Sequence, residues 1–170
     1  MASRAKLITA DQSLITGLRN TVVAAISLCA AAATSTLEMF DGAIGTIATK
    51  AVGAAGTGYT ELDVITVAQA GGGVQATMRV DTVDTGGEVL TFTILTGGSG
   101  YVAAATYATT GGTGTGFTVT ASTVSDAGTS VAKLSAVANT AISQEICSLF
   151  TNGISFRITG SAAKGYLYYD

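Results

Sequence analysis

Acidic side chains are the residues in this sequence whose types and spacing could support catalysis. Glu38 lies close to Asp41, and Asp81, Asp84 and Glu88 fall within a second short stretch. A pair of carboxyl groups can hydrolyse a glycosidic bond, one acting as acid and the other as base or nucleophile. The same acids also suit turns and the wet side of a glycine-rich sheet, where they maintain solubility. We expect this second role, and therefore no catalytic residues.

Other kinds of reactive site lack their required residues. The sequence contains no histidine, so it offers neither a Ser–His pair nor an imidazole metal ligand. The loop around Asp84 could supply oxygen ligands to calcium, but its spacing is not that of a calcium-binding loop. The stretch GAAGTG at 53–58 has glycines like a phosphate-binding loop without the Lys-Ser/Thr ending. We expect no metal, no cofactor and no enzymatic activity.

The composition indicates a globular chain rich in short strands. Of the 170 residues 48% are hydrophobic and 11% are charged, and the net charge is −3. There are 22 glycines and no proline, whereas disordered linkers are usually rich in proline and poor in apolar residues. Abundant Thr, Val, Ala and Gly is typical of strands joined by tight turns. Eight scattered basic residues do not form the cluster that a nucleic-acid-binding face needs.

Cysteine content and one apolar stretch bear on the cellular compartment. Cys29 and Cys147 are far apart in sequence, and we expect buried free thiols, with a disulfide as the alternative. The apolar stretch 22–33 is short of the roughly 20 residues that a spanning helix requires. Asp11 and Arg19 interrupt the apolar run that a signal peptide would need. We expect no membrane segment and assembly in the cytoplasm.

Alternating hydrophobic runs between glycine clusters predict the strands. Residues 1–16 show no clear period and are predicted to form an extended N-terminal arm. Residues 18–30 favour a strand with Val22, Ala24, Ile26 and Leu28 on one face, although a short helix remains an alternative here.

A hairpin is predicted over residues 76–95. In the run TMRVDTV, Met78 and Val80 share one face, and in VLTFTIL, Leu90, Phe92 and Ile94 share one face. The glycine-containing turn at 84–87 joins the two runs.

A strand–loop–strand unit occurs twice in the middle of the chain. At the loop, Gly56, Gly58 and Tyr59 of the first copy match Gly98, Gly100 and Tyr101 of the second. Further along, Gly72-Gly73, Met78 and Val80 match Gly111-Gly112, Phe117 and Val119. The glycines supply positive-φ turns, and each tyrosine ring is expected to cap a small core while its hydroxyl reaches water or backbone.

The repeat divides the chain into domains. Residues 53–124 are predicted to form a glycine-rich β module, inserted into a discontinuous β-sandwich made of 17–52 and 125–170. The fold class is therefore all-β, with a jelly-roll-like sandwich. In the last strand Tyr166 and Tyr168 share a face, and the cluster Tyr166, Tyr168 and Tyr169 is either core packing or a subunit contact.

The central repeat resembles a known family of glycine-rich units. The segments GTGYTELDVITV, GGGVQATMRVDTV, GEVLTFTILTGGSGY and GGTGTGFTVT are similar to a repeat found in structural proteins of tailed bacteriophages, including fibres, baseplate components and head-surface proteins. The resemblance covers Gly56 to about Ala121. The second copy departs from the pattern because Ala105 replaces the aspartate present as Asp63, so a turn contact made by Asp63 would be lost there.

The flanking segments carry a second resemblance. EMFDG, AKLSAV and FTNGISFRITGSAAKGYLYY are similar to segments of small phage β-sandwich proteins, with the insert following Asp41-Gly42. The resemblance implies a virion component, often a trimer, that decorates the capsid surface by binding the major capsid protein. A tail, baseplate or connector subunit is the alternative. Receptor or glycan binding is a third, for which Tyr59, Tyr101 and Tyr107 are the available aromatic residues.

Overall fold

The computed structural model of the protein describes residues 4–8, 21–31, 33–69, 73–160 and 162–169. This part of the chain forms strands and turns without a helix, which confirms the predicted all-β class. Its thirteen strands are β1 Arg4–Ile8, β2 Thr21–Cys29, β3 Ser35–Asp41, β4 Thr46–Thr57, β5 Val64–Val67, β6 Ala76–Val83, β7 Val89–Thr96, β8 Thr106–Thr110, β9 Thr115–Ser125, β10 Thr129–Ala136, β11 Ala141–Phe150, β12 Ile154–Thr159 and β13 Lys164–Tyr169.

The chain divides into two compact units, one of which is interrupted by the other. The first unit contains residues 1–44 and 127–170, and the second contains residues 45–126. The sequence pattern placed the insert at 53–124, later than its observed start at Gly45. The difference arises because β4 continues past Gly53, where a strand end was expected.

The first unit is a β-sandwich. A four-stranded sheet in the order β1-β13-β2-β11 and a three-stranded sheet in the order β10-β3-β12 share one core. Alternate residues of each strand supply that core, as in β3, where Leu37 and Met39 are buried between half-buried Thr36 and Glu38. Phe156 of β12 is fully buried among them.

The strands of the sandwich pair in a nested order around the insert. β3 pairs with β10, β2 with β11 and β1 with β13, each antiparallel. A jelly roll is a long hairpin that folds over on itself, so that its successive strand pairs lie alternately in two facing sheets. Its full form has eight strands. Seven strands of that order are present among the described residues. The insert occupies the turn of the innermost pair, between β3 and β10.

The start of the chain and the apolar stretch after it differ from expectation. Residues 4–8, predicted as part of an arm, form the edge strand β1 and pair with β13, while residues 9–16 lie outside the described part. The stretch that raised the membrane question begins as strand β2. In the described ranges of the chain there is no helix with the length and hydrophobicity needed to cross a bilayer.

β-bulges move two of the predicted hydrophobic faces. In β2, Val23 is fully buried and Val22 is exposed, because β2 has one residue more than β13 where the register shifts between Tyr168 and Tyr169. In β7, Val89 and not Leu90 is buried, since the pairing with β6 is irregular at that end. A bulge adds one residue to one strand and so reverses the alternation beyond it.

The second unit is a single six-stranded sheet in the order β4-β9-β8-β5-β6-β7. The sheet curls until its two edge strands approach, and a 2.9 Å hydrogen bond joins the Ile47 amide to the Gly97 carbonyl. Its interior is filled by one face of the strands, including Met78, Val80, Phe117 and Val119, all buried. Phe92 packs edge-on against Phe117, with 5.2 Å between ring centroids.

The unit consists of two three-stranded copies that exchange strands. The first copy is β4-β5-β6 and the second is β7-β8-β9, so swapping the copies simply reverses the strand order of the sheet. The first strand of each copy pairs with the third strand of the other, as β4 with β9 and β7 with β6. The arrangement therefore has an internal approximate twofold symmetry.

Equivalent hydrogen bonds correct the predicted alignment of the two copies. The Leu62 amide donates to the Val80 carbonyl, and in the same way the Ala104 amide donates to the Ala121 carbonyl. Val80 is thus the counterpart of Ala121, not of Val119 as the sequence match suggested, and Met78 is the counterpart of Val119. The error arose because the connecting loops differ in length between the copies.

Candidate functional site

The two glycine–tyrosine loops have nearly the same backbone. Gly56, Gly58, Gly98 and Gly100 all have positive φ, between 59° and 82°. An added Cβ at Gly98 would lie 2.6 Å from the Ala76 nitrogen, so this position tolerates no side chain. Positive φ and close approach together explain why glycine occupies these loops.

The loops also share partners at a second pair of glycines. The Tyr59 amide donates to the Gly87 carbonyl and the Tyr101 amide donates to the Gly45 carbonyl. Gly45 and Gly87 each precede the first strand of a copy and both have positive φ. The repeat therefore begins one strand earlier than the sequence match indicated. The missed signal was the equal spacing from Gly45 to Gly56 and from Gly87 to Gly98.

Tyr59 and Tyr101 are structural residues of the small core. Each is 3% exposed. The Tyr101 hydroxyl accepts a 2.8 Å hydrogen bond from the Ala76 amide and donates a 2.9 Å bond to the Val67 carbonyl, while burial raises the pKa of this phenol. Tyr107 packs edge-on against Tyr101. Two of the three aromatic residues considered for glycan binding are thus not available to a ligand.

Asp63 ties the first loop to the second copy. Its Oδ2 accepts hydrogen bonds from the Thr60 amide, the Thr113 amide and the Thr113 hydroxyl, at 3.0, 3.0 and 2.7 Å. These bonds, first among them the one from the Thr60 amide, hold the pKa of Asp63 below its usual range. In the second copy Ala105 stands at this position, and the Tyr107 hydroxyl accepts the bond from the equivalent amide, that of Val102. The aspartate contact is therefore lost in the second copy, as expected, and the Tyr107 hydroxyl replaces it as the hydrogen-bond acceptor.

Four of the five acids considered for catalysis, all except Glu88, hold backbone groups or neighbouring side chains. Asp84 Oδ1 accepts bonds from the Gly86 and Glu88 amides, both at 2.8 Å, and so fixes the turn between β6 and β7. Asp81 binds Arg79 and Thr93, and the Thr93 hydroxyl is the main cause of its lowered pKa. These are turn and surface arrangements of the kind expected from the sequence.

Glu38 and Asp41 of β3 also have structural partners. The Ser130 hydroxyl donates a 2.7 Å bond to Glu38, and Asp41 accepts a 2.9 Å bond from the Asn152 amide. Asp41 thereby stabilises the turn that leads into β12. Among the described residues no group of three or more acidic or cysteine side chains is placed to hold a metal ion.

An open groove lies beside the two edge strands of the second unit. It has a volume of about 380 Å³ and is lined by Ala48, Thr49, Lys50, Thr93 and Ile94. The Lys50 Nζ lies 4.7 Å from the centre of the Phe92 ring, which is itself buried. The groove lining contains one cation and no aromatic ring on which a sugar could stack.

The tyrosine cluster of β13 divides between two faces. Tyr166 pairs with Leu7 and Ser27, and Tyr168 pairs with Ala5 and Ala25, on the outer face of the four-stranded sheet. Tyr169 follows a register shift and packs against the core of the sandwich. The outer face of the four-stranded sheet is hereafter called the tyrosine face.

Both cysteines are free and exposed, which corrects the expectation that they are buried. Cys29 pairs with Ala141 at one end of the β2–β11 ladder, whereas Cys147 lies in the bulge beyond Glu145, which pairs with Ala25. The separation along the strands is at least about 13 Å, far beyond the roughly 7 Å that a disulfide permits between Cα atoms. A disulfide within one molecule is therefore excluded.

Comparison of the chain with models of known protein families, with curated proteins and with solved structures finds no match.

Proposed function

We propose that the chain is a virion structural protein of a tailed bacteriophage that decorates the capsid. In this function it attaches to the lattice of the major capsid protein and stabilises the head. It acts by adhesion as a homo-oligomer, in the virion, after assembly in the host cytoplasm. The resemblances of the central repeat and of the flanking segments to phage proteins are the sequence support.

The observation that carries the proposal is the nested strand order of a jelly roll with a self-contained unit in its innermost turn. Jelly rolls are recurrent building units of viral shells. The pairs β3–β10, β2–β11 and β1–β13 join strands that precede the insert in the chain to strands that follow it, so the sandwich does not depend on the insert for its own strand pairing. We assign attachment to the sandwich and treat the insert as dispensable for it.

The side-chain chemistry of the described residues supports adhesion over catalysis. Four of the five acids considered above hold a turn or a neighbouring strand, and the repeat tyrosines are buried. A decoration protein needs modest contacts repeated over many equivalent shell sites, since a symmetric array multiplies the effect of each contact.

Copy number in purified particles is the test that discriminates the candidate functions. The polypeptide and the major capsid protein would be quantified together by mass spectrometry with isotope-labelled peptides. A decoration protein is expected at hundreds of copies per particle. A handful of copies would indicate the tail, baseplate or connector instead, and absence from particles would refute a virion role.

A variant without the insert tests the division of labour. The pairing of β3 with β10 ends at Asp41, which is opposite Thr129. Residues 45–126 can therefore be replaced by an Asn-Gly turn that connects these two strands. We expect this variant, once circular dichroism shows that it is folded, to bind particles as the full chain does. Loss of binding by a folded variant would assign attachment to the insert.

A further inference from the structure

Two dipeptides of the sandwich, each with glycine as its second residue, lie against each other. Asp41 is the last residue of β3 and is followed by Gly42, while Asn152 and Gly153 lie in the turn between β11 and β12. The backbone amide and the side-chain Nδ2 of Asn152 donate to the two carboxylate oxygens of Asp41, at 2.9 and 3.2 Å. The Gly42 amide donates a 2.8 Å bond to the Gly153 carbonyl. The two dipeptides therefore form one hydrogen-bonded cluster.

Both dipeptides have the composition in which a backbone nitrogen can attack the side chain of the residue before it. The attack joins that nitrogen to the side-chain carbonyl carbon of asparagine or aspartate and gives a succinimide, which is one reason why asparagine is chemically labile. Glycine favours the attack because it has no Cβ to obstruct the approach. An N–H that is held in a hydrogen bond must first lose that bond, which costs free energy. The state of the two glycine amides therefore decides which dipeptide reacts.

The two glycine amides differ in their hydrogen bonding. The Gly42 N–H is bonded to the Gly153 carbonyl, whereas the Gly153 N–H donates to no group in the part of the chain that the structure describes. Asn152 is exposed, so water reaches its side chain. The attacking nitrogen is thus unbonded beside Asn152 and bonded beside Asp41.

A third side chain, that of Asn139, provides a comparison within the same unit. Asn139 is exposed like Asn152, but the residue after it is Thr140, whose branched side chain obstructs the approach. The Thr140 amide is also bonded, since it donates a 3.2 Å bond to the Val137 carbonyl. Asn139 therefore lacks both features that favour succinimide formation at Asn152.

We propose that Asn152 is a site of deamidation in the folded chain, and that Asp41 is protected from the corresponding isomerisation. The Gly153 nitrogen loses its proton to water and forms a bond to Asn152 Cγ, and the Cγ–Nδ2 bond breaks as Nδ2 leaves in ammonia. Water then opens the succinimide at either of its carbonyl carbons. The product is aspartate or isoaspartate, and the reaction needs no oxidant and no cofactor. The inference does not depend on the proposed function.

The modification alters the turn because the new carboxylate faces Asp41. Nδ2 of Asn152 donates to Asp41 Oδ2 across 3.2 Å, and the carboxylate oxygen that replaces Nδ2 has no proton to donate. Two negative charges then lie where a hydrogen bond was, and like charges at that distance repel each other. Deamidation is therefore expected to weaken the turn that joins β11 to β12.

Incubation of the full chain at mildly alkaline pH, followed by peptide mass spectrometry, tests the site. In the chain that circular dichroism shows to be folded, we expect loss of the amide of Asn152, retention of the amide of Asn139 and no isoaspartate at Asp41. In urea the Gly42 amide is released from its bond, so the denatured chain should also gain isoaspartate at Asp41. Retention of Asn152 in the folded chain for as long as Asn139 would overturn the proposal. Isoaspartate at Asp41 in the folded chain would overturn it as well, because the reaction would then proceed through unfolded molecules.

Two substitutions measure the effect of the product on the turn. Asn152→Asp reproduces the aspartate product, and Asn152→Ser removes the same side-chain bond to Asp41 without adding a charge. We expect Asn152→Asp to lower the midpoint of thermal unfolding of the sandwich by a few degrees more than Asn152→Ser does. Equal midpoints for the two variants would refute the placement of the new charge beside Asp41.

Discussion

The hydroxyl of Tyr101 provides a sharp test of how the inserted unit is stabilised. This hydroxyl bridges the Ala76 amide and the Val67 carbonyl, which belong to the adjacent strands β6 and β5. Tyr101→Phe removes one oxygen atom and leaves the ring in place. The equivalent residue of the first copy, Tyr59, is equally buried, but its hydroxyl makes no hydrogen bond to the residues that the structure describes. Tyr59→Phe is therefore a matched control.

The expected magnitude follows from the two backbone groups that lose their partner. A buried donor or acceptor left without a hydrogen bond costs about 1–3 kcal/mol, and here one donor and one acceptor are affected. We expect Tyr101→Phe to lower the free energy of unfolding of the inserted unit by about 2–4 kcal/mol, and Tyr59→Phe to lower it by less than about 0.5 kcal/mol.

Urea denaturation followed by circular dichroism measures the stability, and hydrogen exchange by NMR assigns the effect to the site. The Ala76 amide should lose protection in Tyr101→Phe and keep it in Tyr59→Phe. Equal losses of stability in the two variants, or an unchanged Ala76 amide, would refute the reasoning.

The raised pKa of Tyr101 gives the same experiment an independent arm. Burial favours the neutral phenol, so the folded pKa lies above the ordinary value of 10.0. The contribution of this hydroxyl is therefore fully present below pH 10 and is lost as the pH rises through the folded pKa. The stability difference between the unmodified chain and Tyr101→Phe should shrink in that alkaline range. A difference that stays constant there would contradict the burial of this group.

Three further predictions concern glycine, the bulge and an acid. Gly98→Ala should lower the free energy of unfolding by more than about 3 kcal/mol, because the added Cβ would meet the Ala76 amide. Gly58→Ala should lower it by only the roughly 1–2 kcal/mol that positive φ costs, because its Cβ would lie 3.7 Å from the nearest neighbour. Thermal unfolding of the two variants measures the difference. Val23→Ala should lower the free energy of unfolding by about 2 kcal/mol, and Val22→Ala should lower it by less than about 0.5 kcal/mol, because only Val23 is buried. The reverse order in urea denaturation would contradict the position of the bulge in β2. The lowered pKa of Asp63 means that its contribution is present above pH 3.8 and lost as the pH falls through the folded pKa, so the stability deficit of Asp63→Asn should shrink below pH 3.8 in acid titration.

Local patterns were sufficient to predict the class of fold and the main strands. Alternation in TMRVDTV correctly placed Met78 and Val80 in the core, because a half-buried strand alternates its side chains between core and solvent. Alternation failed at Val22 and Leu90 because a bulge reverses the faces beyond it. A bulge depends on the partner strand, and nothing in the local sequence of β2 or β7 marks its position.

The tyrosine face was only partly predictable for the same reason. The spacing of Tyr166 and Tyr168 placed them on one face of a strand, and the structure shows that arrangement. That Ala25 and Ser27 lie beside them depends on the pairing of β13 with β2, two strands from opposite ends of the chain. Contacts between such distant segments are set by the topology of the whole sandwich, which no local pattern contains.

Strand exchange gives the inserted unit a property that neither copy has alone. The pairing of β4 with β9 and of β7 with β6 means that each copy completes the sheet of the other. Hydrogen bonds also connect the copies, because the Tyr101 hydroxyl of the second copy binds the Ala76 amide of the first, and Asp63 of the first copy binds the Thr113 amide of the second. A single copy would expose unpaired strand edges and half of a core, which is too little burial to offset the entropy of ordering its loops. The two copies therefore fold as one cooperative unit, and this accounts for a repeat that is present twice within one turn of the sandwich.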